Sequence, residues 1–201
     1  ERLSKEFEAV GFFISNHPLN QFKEIFNDYN IMDYQNFNSQ DDLKESNIAA
    51  TLLKVQERKT AKGNAYAVLK LTDLTSVFEL FIFSDILDLN REILKEGNSL
   101  ILTLVKSTSN DDNRFKRINV QKIASLKDII NKPIDEVTFN LYSLKELDEI
   151  SKFIPENGHT LIKINISDKN NNFKFKLQNK RNIDRKVINL IRNKQISAII
   201  S

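Results

Sequence analysis

Basic residues cluster at two places in the middle of the chain, and their chemistry is that of phosphate contacts. One cluster lies in the polar loop 57–63, and the other follows the polar stretch that begins at residue 107. The members are Arg58, Lys59 and Lys62 in the first cluster and Arg114, Lys116 and Arg117 in the second. Because guanidinium and ammonium groups neutralise phosphates, the clusters predict an anionic partner if the fold brings them to one groove.

Two aromatic residues and one lysine between these clusters are predicted to face outward. Residues 66–72 and 77–83 alternate as half-buried strands do, and their inward positions are Ala67, Leu69, Leu71, Phe78, Leu80 and Ile82. The outward positions include Tyr66, Lys70, Glu79 and Phe81. An exposed ring can stack on a base for about 1–3 kcal/mol. Packing on a neighbouring domain explains Phe81 equally well, and Glu79 disfavours very tight backbone binding.

Residues that could support catalysis are scarce. The 201 residues include no Cys, 4 Gly and 2 His, which are His17 and His159. This composition excludes zinc fingers, iron–sulfur clusters, Cys nucleophiles and glycine-rich phosphate loops. The acidic pairs at 41–42 and 111–112 are adjacent in sequence, so their carboxylates point apart and suit a shared metal poorly. We predict no catalytic residue, metal site or cofactor in this chain.

The sequence also bears on location. No apolar run approaches the ~18–20 residues of a membrane span, and no signal-peptide pattern opens the chain. We expect a soluble, cytoplasmic protein with no membrane partner. Because the first residue is Glu1 rather than Met, we also expect a fragment of a longer protein.

The hydrophobic period of the middle of the chain predicts a β-barrel. Five strands are expected at 48–55, 66–72, 77–83, 100–105 and 115–123. Between the third and fourth, Ser84 is the expected N-cap of a short helix whose apolar positions are Ile86, Leu89 and Ile93, with Gly97 as its stop. Three strands, a helix and two strands are the order of an OB fold, whose nucleic-acid ligands lie across strands two and three.

The flanking parts read differently. Before the barrel, apolar residues recur at helical spacing over 3–10 and 19–29, and Pro18 places the start of the second helix just after His17. After it, strands and helices follow in a βαββαβ order compatible with a ferredoxin-like arrangement, with Ser143 and Glu146 as a capping box. The predicted class is α+β, with a helical connector (1–46), an OB domain (47–128) and an α+β module (129–201).

Charge is unevenly divided among these parts. The total is +3. Residues 1–46 hold 4 basic and 9 acidic residues (−5), residues 47–128 hold 13 and 10 (+3), and residues 129–201 hold 13 and 8 (+5). The trend favours an anionic partner for the later parts, although a lysine-rich face is often simply solvated.

Two segments carry a family resemblance. Residues 11–19, GFFISNHPL, with KEFEAV before them, resemble the segment E-x-x-x-L-G-F-Y-L-S-x-H-P-L of the bacterial replicative DNA polymerase III alpha subunit. Residues 58–67, followed by LTD at 71–73 and FELFIF at 78–83, resemble the OB signature of that family. Val10 and Phe13 depart conservatively from its usual Leu and Tyr. The resemblance is specific through residue 125 and is one of pattern beyond it.

The resemblance implies that the chain is a C-terminal region without the PHP, palm and thumb regions and most of the fingers. The parent enzyme would extend DNA at a Mg²⁺ site on palm aspartates, so this fragment should be inactive alone. The OB domain would contact single-stranded template DNA, and residues 129–201 would dock the tau subunit of the clamp loader within the holoenzyme. The internal clamp-binding motif would lie upstream; residues 40–44 resemble it weakly.

Two other functions remain open on the sequence. An anticodon-type OB domain of a synthetase would bind RNA with similar basic loops, although the His-Pro-Leu segment argues against it. The barrel could also be a structural spacer whose aromatic face packs on the rest of a polymerase.

Overall fold

The computed structural model describes residues 17–108, 116–168 and 171–200, and backbone only at Thr108, Lys116 and Asp168. The chain divides into two compact units, the first ending at Ile130 and the second beginning at Asn131. Mixed strands and helices, with mostly antiparallel sheets, confirm the α+β class. The helix predicted within residues 3–10 lies outside the described residues, and the three-part division stays a prediction.

The first unit is built on a six-stranded sheet. Its path is β4-β3-β2-β5-β6, all antiparallel, and β1 pairs with β2 in parallel. The strands are β1 (Ile31–Met32), β2 (Glu45–Lys59), β3 (Ala65–Thr72), β4 (Val77–Phe83), β5 (Ser99–Thr108) and β6 (Lys116–Ser125). The helices are a 3₁₀ helix (Pro18–Ile25), α1 (Tyr34–Ser39), α2 (Ser84–Asn90) and α3 (Leu126–Asn131).

Strand alternation decides which side chains fill the core of this unit. All six predicted inward residues of β3 and β4 are buried. In β2, the whole run 48–53 is buried, because the strand is covered on both faces. Ile48, Ala50 and Leu52 join the main core, and Ala49 on the opposite face packs with Ile101, Leu126 and the 3₁₀ helix.

Helix α2 differs from its prediction in three respects. Phe83 occupies the N-cap position, with no side-chain cap, and the Ser84 hydroxyl lies 3.3 Å from a carboxylate oxygen of Asp85. Leu87 is buried, whereas Leu89 is 83% exposed. The helix ends at Asn90, so Ile93 lies in the following turn. The predicted helical face of Ile86, Leu89 and Ile93 therefore does not form. Gly97 is likewise not the stop of this helix; it lies in the turn before β5, with φ of 89°.

The segment before the sheet is tied to it by His17. Its Nδ1 accepts the Leu19 N–H at 3.1 Å, which caps the 3₁₀ helix, and its Nε2 lies 3.5 Å from the hydroxyl of Thr72. The helix therefore begins where predicted, directly after His17. Leu19, Phe22 and Ile25 of this helix are buried. Burial lowers the pKa of His17, and the nearby Asp73 charge offsets this in part.

Asp73 organises the turn between β3 and β4. It is 4% exposed. Its Oδ1 accepts the Thr75 and Ser76 N–H groups at 2.8 and 2.7 Å, and its Oδ2 accepts the Tyr34 N–H at 2.7 Å. One carboxylate thus closes the hairpin and holds the first residue of α1, so the aspartate of the LTD sequence is structural.

The second unit is a four-stranded sheet with the order β10-β7-β8-β9. Its elements are β7 (Glu136–Leu141), α4 (Leu144–Ser151), β8 (Glu156–Asp168), β9 (Asn171–Lys176), α5 (Arg185–Asn193) and β10 (Ser197–Ile200). The predicted βαββαβ order is present. However, β7 and β8 are parallel neighbours, whereas a ferredoxin-like unit is split by an intervening strand, so that arrangement is not adopted. Ser143 accepts the Glu146 N–H, and the Glu146 carboxylate accepts the Tyr142 N–H.

The environment of His17 predicts a pH-dependent stability. An unfolded histidine takes up a proton as pH falls through about 6.5, whereas folded His17 resists protonation because its Nδ1 is an acceptor and its pKa is lowered. The urea midpoint of the first unit should therefore fall as pH is lowered from 7.5 to 5.5. His17→Asn, which can cap the same N–H without titrating, should reduce this dependence; an unchanged dependence would contradict the assignment.

Asp73→Ala should lower the unfolding free energy of the first unit by about 2–3 kcal/mol, because it leaves three N–H groups, in partly buried hydrogen bonds, without their charged acceptor. Hydrogen–deuterium exchange would show faster exchange in β3 and β4 with β7 and β8 unchanged. The matched control is the exposed Asp42→Ala. Equal exchange in the two variants would remove Asp73 from this role.

Candidate nucleic-acid interface

The outer face of β2, β3 and β4 presents side chains in a regular grid. The backbone register sets three rows across the strands. From the hairpin end inward, these rows are Arg58–Tyr66–Phe83, Gln56–Val68–Phe81 and Lys54–Lys70–Glu79. Because cross-strand neighbours on one face lie within side-chain reach, the rows place aromatic rings beside basic groups.

The aromatic side chains of this face are available to solvent. Phe81 is 54% exposed and Phe83 is 51% exposed, while Tyr66 is half-buried. Phe83 was missed by the sequence analysis, although it lies two residues after Phe81 in the same alternating strand. Two exposed phenylalanines on one strand form an apolar patch, which makes this face a candidate binding surface.

A groove of about 930 Å³ runs beside these rings. Its lining brings together Lys59 from β2, Arg117 from β6 and the aromatic residues Tyr66, Phe81 and Phe83. Tyr34 of α1 also lines it and stacks on Phe78, with ring centroids 4.0 Å apart. Burial raises the pKa of Tyr34, so its phenol stays neutral in the groove. Members of both predicted basic clusters thus meet at one site.

A smaller depression of about 190 Å³ lies on the same face. Lys54, Arg58 and Lys70 surround it, and Phe81 and Glu79 line both it and the larger groove. Lys54 was missed because a register shift between Leu52 and Lys54 breaks the alternation of β2. The two grooves together are lined by five basic residues and one acidic residue, so their charge favours an anionic ligand.

The predicted loop at 57–63 is shorter than expected. Strand β2 continues to Lys59, so Arg58 and Lys59 are strand residues opposite Tyr66 and Ala65. The turn itself is closed by the Thr60 N–H bonding the Asn64 carbonyl at 2.9 Å, with Gly63 at φ of 85°. This ladder fixes the backbone of the two basic residues more firmly than a loop would.

The remaining predicted residues are not all assembled. Lys62 lies exposed in the turn and lines neither groove. Arg114 lies outside the described residues, and Lys116 is described by its backbone at the start of β6. Arg117 is the member of the second cluster that the structure places in the larger groove.

Two further observations bear on the class of site. Among the described residues, no group of three or more His, Cys, Asp or Glu side chains is placed to hold a metal ion. In the same part of the chain, no helix is long and apolar enough to cross a membrane.

Known proteins similar to this chain share one name. This chain is 33% identical over 151 residues to DNA polymerase III subunit alpha of Rickettsia conorii, and the match covers 72% of this chain and 12% of that protein. It is 31% identical over 177 residues to the same subunit of Rickettsia bellii, covering 82% and 14%. The Aquifex aeolicus subunit is 26% identical over 102 residues, covering 50% and 8%. No protein-family model matches the chain. The resemblance is confirmed, and the chain spans about an eighth of the length of the first of these relatives.

The grid predicts which phenylalanines support the fold. Phe81→Ala and Phe83→Ala should change the unfolding free energy by less than about 1 kcal/mol, because both rings are solvent-exposed. Phe78→Ala, on the inner face of the same strand, should cost about 3–5 kcal/mol. Urea denaturation of the three variants checks this, and a cost for Phe81 equal to that of Phe78 would mean that Phe81 is a core residue.

Proposed function

We propose that this chain, which belongs to the DNA polymerase III alpha subunit family, contacts single-stranded template DNA through the outer face of β2, β3 and β4. The observation that carries the proposal is the three-row grid on this face. Its rings can stack on successive bases, while the five basic residues of the two grooves neutralise phosphates. The relatives named above support the polymerase assignment.

We also propose that β2 to β6 form an OB fold. Along the chain these are strands one to five, and α2 lies between the third and fourth, as the predicted order requires. The two ends of the sheet path, β4 and β6, have Cα atoms within 8 Å of each other. A strongly curved path of this kind supports a partly open five-stranded barrel.

The remaining parts of the proposal follow from the resemblance. Residues 129–201 would dock the tau subunit of the clamp loader, and the chain would work with the other holoenzyme subunits in the cytoplasm. Polymerisation, with its Mg²⁺ ions, would belong to other regions of the subunit, so this chain alone would bind DNA without extending it.

The DNA-binding proposal predicts weak, salt-dependent affinity. At low salt, labelled oligo-dT should bind the chain with a Kd in the micromolar range or weaker, as measured by fluorescence anisotropy. Phe81→Ala should weaken binding by about 1–3 kcal/mol, or roughly 5- to 150-fold, because one stacking platform is lost. The slope of log K against log salt is negative, and Lys59→Ala with Arg117→Ala should make it shallower by about 1.4, since two phosphate contacts are removed.

Controls separate this function from the alternatives. Lys23→Ala with Lys127→Ala removes the same charge from exposed positions outside both grooves and should leave the slope unchanged. Replacing Arg58, Lys59 and Lys62 together by Ala should weaken binding further. No binding at low salt, or no effect of these replacements, would favour the spacer function, whereas clear preference for oligo-U would favour an RNA ligand.

A further inference from the structure

The second unit has an open sheet edge at β9. This strand ends the order β10-β7-β8-β9, and all six of its residues are exposed. The Leu177 N–H donates to the Ile162 carbonyl at 2.9 Å, and hydrogen-bonded positions alternate along an antiparallel pair. Phe175 and Phe173 lie two and four residues before Leu177, so their backbone N–H and carbonyl groups also point toward β8. The backbone groups at the free edge are those of Asn172, Lys174 and Lys176.

The two faces of this edge differ in chemistry. Phe173 and Phe175 lie opposite Ile166 and Ile164, which are buried in the core of the unit. The phenylalanines extend that apolar face to the edge but remain 55% and 39% exposed. The other face carries Lys174 and Lys176, both exposed.

The opposite edge of the sheet is protected. The Arg192 side chain donates to the Ala198 carbonyl of β10 at 3.0 Å from Nε and 2.7 Å from Nη2. Proteins commonly guard sheet edges in such ways to stop an added strand from pairing. Within the described ranges, no side chain makes a comparable bond to the free edge of β9.

We propose that β9 docks an extended segment of a partner protein in which apolar and acidic residues alternate. Such a segment would pair with the free backbone groups as a fifth strand. Its apolar side chains would lie beside Phe173 and Phe175, and its acidic side chains beside Lys174 and Lys176, as favourable cross-strand pairs. The inference deepens the proposed docking role of residues 129–201 and rests on it.

Charge selects this occupant over a second copy of the chain. Pairing of two β9 edges would bring the lysines of one strand against those of the other, and like charges in cross-strand positions are destabilising. Residues 129–201 also carry 13 basic and 8 acidic residues, which adds to the attraction for an acidic segment.

The test uses the whole chain and a defined probe, a blocked eight-residue peptide alternating Val and Glu. In an NMR titration, the Asn172, Lys174 and Lys176 amides should shift and gain protection from exchange. A peptide of the same composition with its Val and Glu in separate blocks should bind at least about tenfold more weakly, because its charges and apolar groups fall on the wrong faces. Equal binding of the two peptides would overturn the inference.

Variants test the two faces and the backbone separately. Lys174→Glu with Lys176→Glu should weaken the Val–Glu peptide by at least about tenfold and favour a Val–Lys peptide. The matched control is Lys145→Glu with Lys152→Glu, exposed residues in α4 and at its C-cap, and it should change the affinity for neither peptide. Lys174→Pro removes an edge N–H without disturbing the β8 pairing, so it should bind more weakly than Lys174→Ala. Equal affinity of those two variants would overturn strand addition.

The same variants distinguish the inference from the proposed partner. If the whole chain binds the tau subunit and the β9 variants lose that binding, both are supported. Tau binding that is unchanged in the variants overturns the assignment of β9 as the docking edge. Peptide binding at β9 without tau binding overturns the proposed partner and supports the edge itself. Dimers of the free chain that Lys174→Pro abolishes would show that a second copy occupies the edge.

Discussion

The first unit depends on one strand being buried on both faces. Strand β2 hydrogen-bonds to β1, β3 and β5, and its side chains serve two separate apolar clusters. Ile48, Ala50 and Leu52 fill the main core, while Ala49 supports the packing of the 3₁₀ helix on the back of the sheet. The outer end of the same strand then carries Arg58 and Lys59 to the binding face. The 15-residue strand β2 thus contributes side chains to the core, to the packing of the 3₁₀ helix and to the candidate interface.

Much of the fold could be predicted because alternation and helix-start chemistry are local. The buried faces of β3 and β4, the helix start after His17 and the N-cap at Ser143 follow from short-range patterns, although the Glu146 carboxylate bonds the Tyr142 N–H and not that of Ser143. Leu87 was not predicted, because α2 ends after two turns and the longer spacing used to choose Leu89 never forms. The parallel pairing of β7 with β8 was not predicted either, since neighbours in a sheet are chosen by packing between distant segments.

The candidate site could be predicted in type but not in its full membership. Tyr66, Phe81 and Arg117 follow from alternation and from the expected placement of the loops. Lys54 follows a register shift, which no simple period describes, and its inclusion requires the actual pairing. The role of Asp73 was also hidden in the sequence. Its carboxylate accepts hydrogen bonds from backbone N–H groups and from the hydroxyls of Thr75 and Ser76, so it closes the hairpin.

The guanidinium of Arg192, a residue of α5 that bonds to β10, limits the addition of further strands to the sheet. A sheet that is open at both sides can serve as a template without end, so that each added strand offers a new edge to the next molecule. At the β10 edge, two hydrogen bonds from Arg192 occupy the Ala198 carbonyl. At the β9 edge, the lysines would repel the lysines of a second β9 strand. The sheet can therefore bind one partner strand without promoting the growth of a fibril.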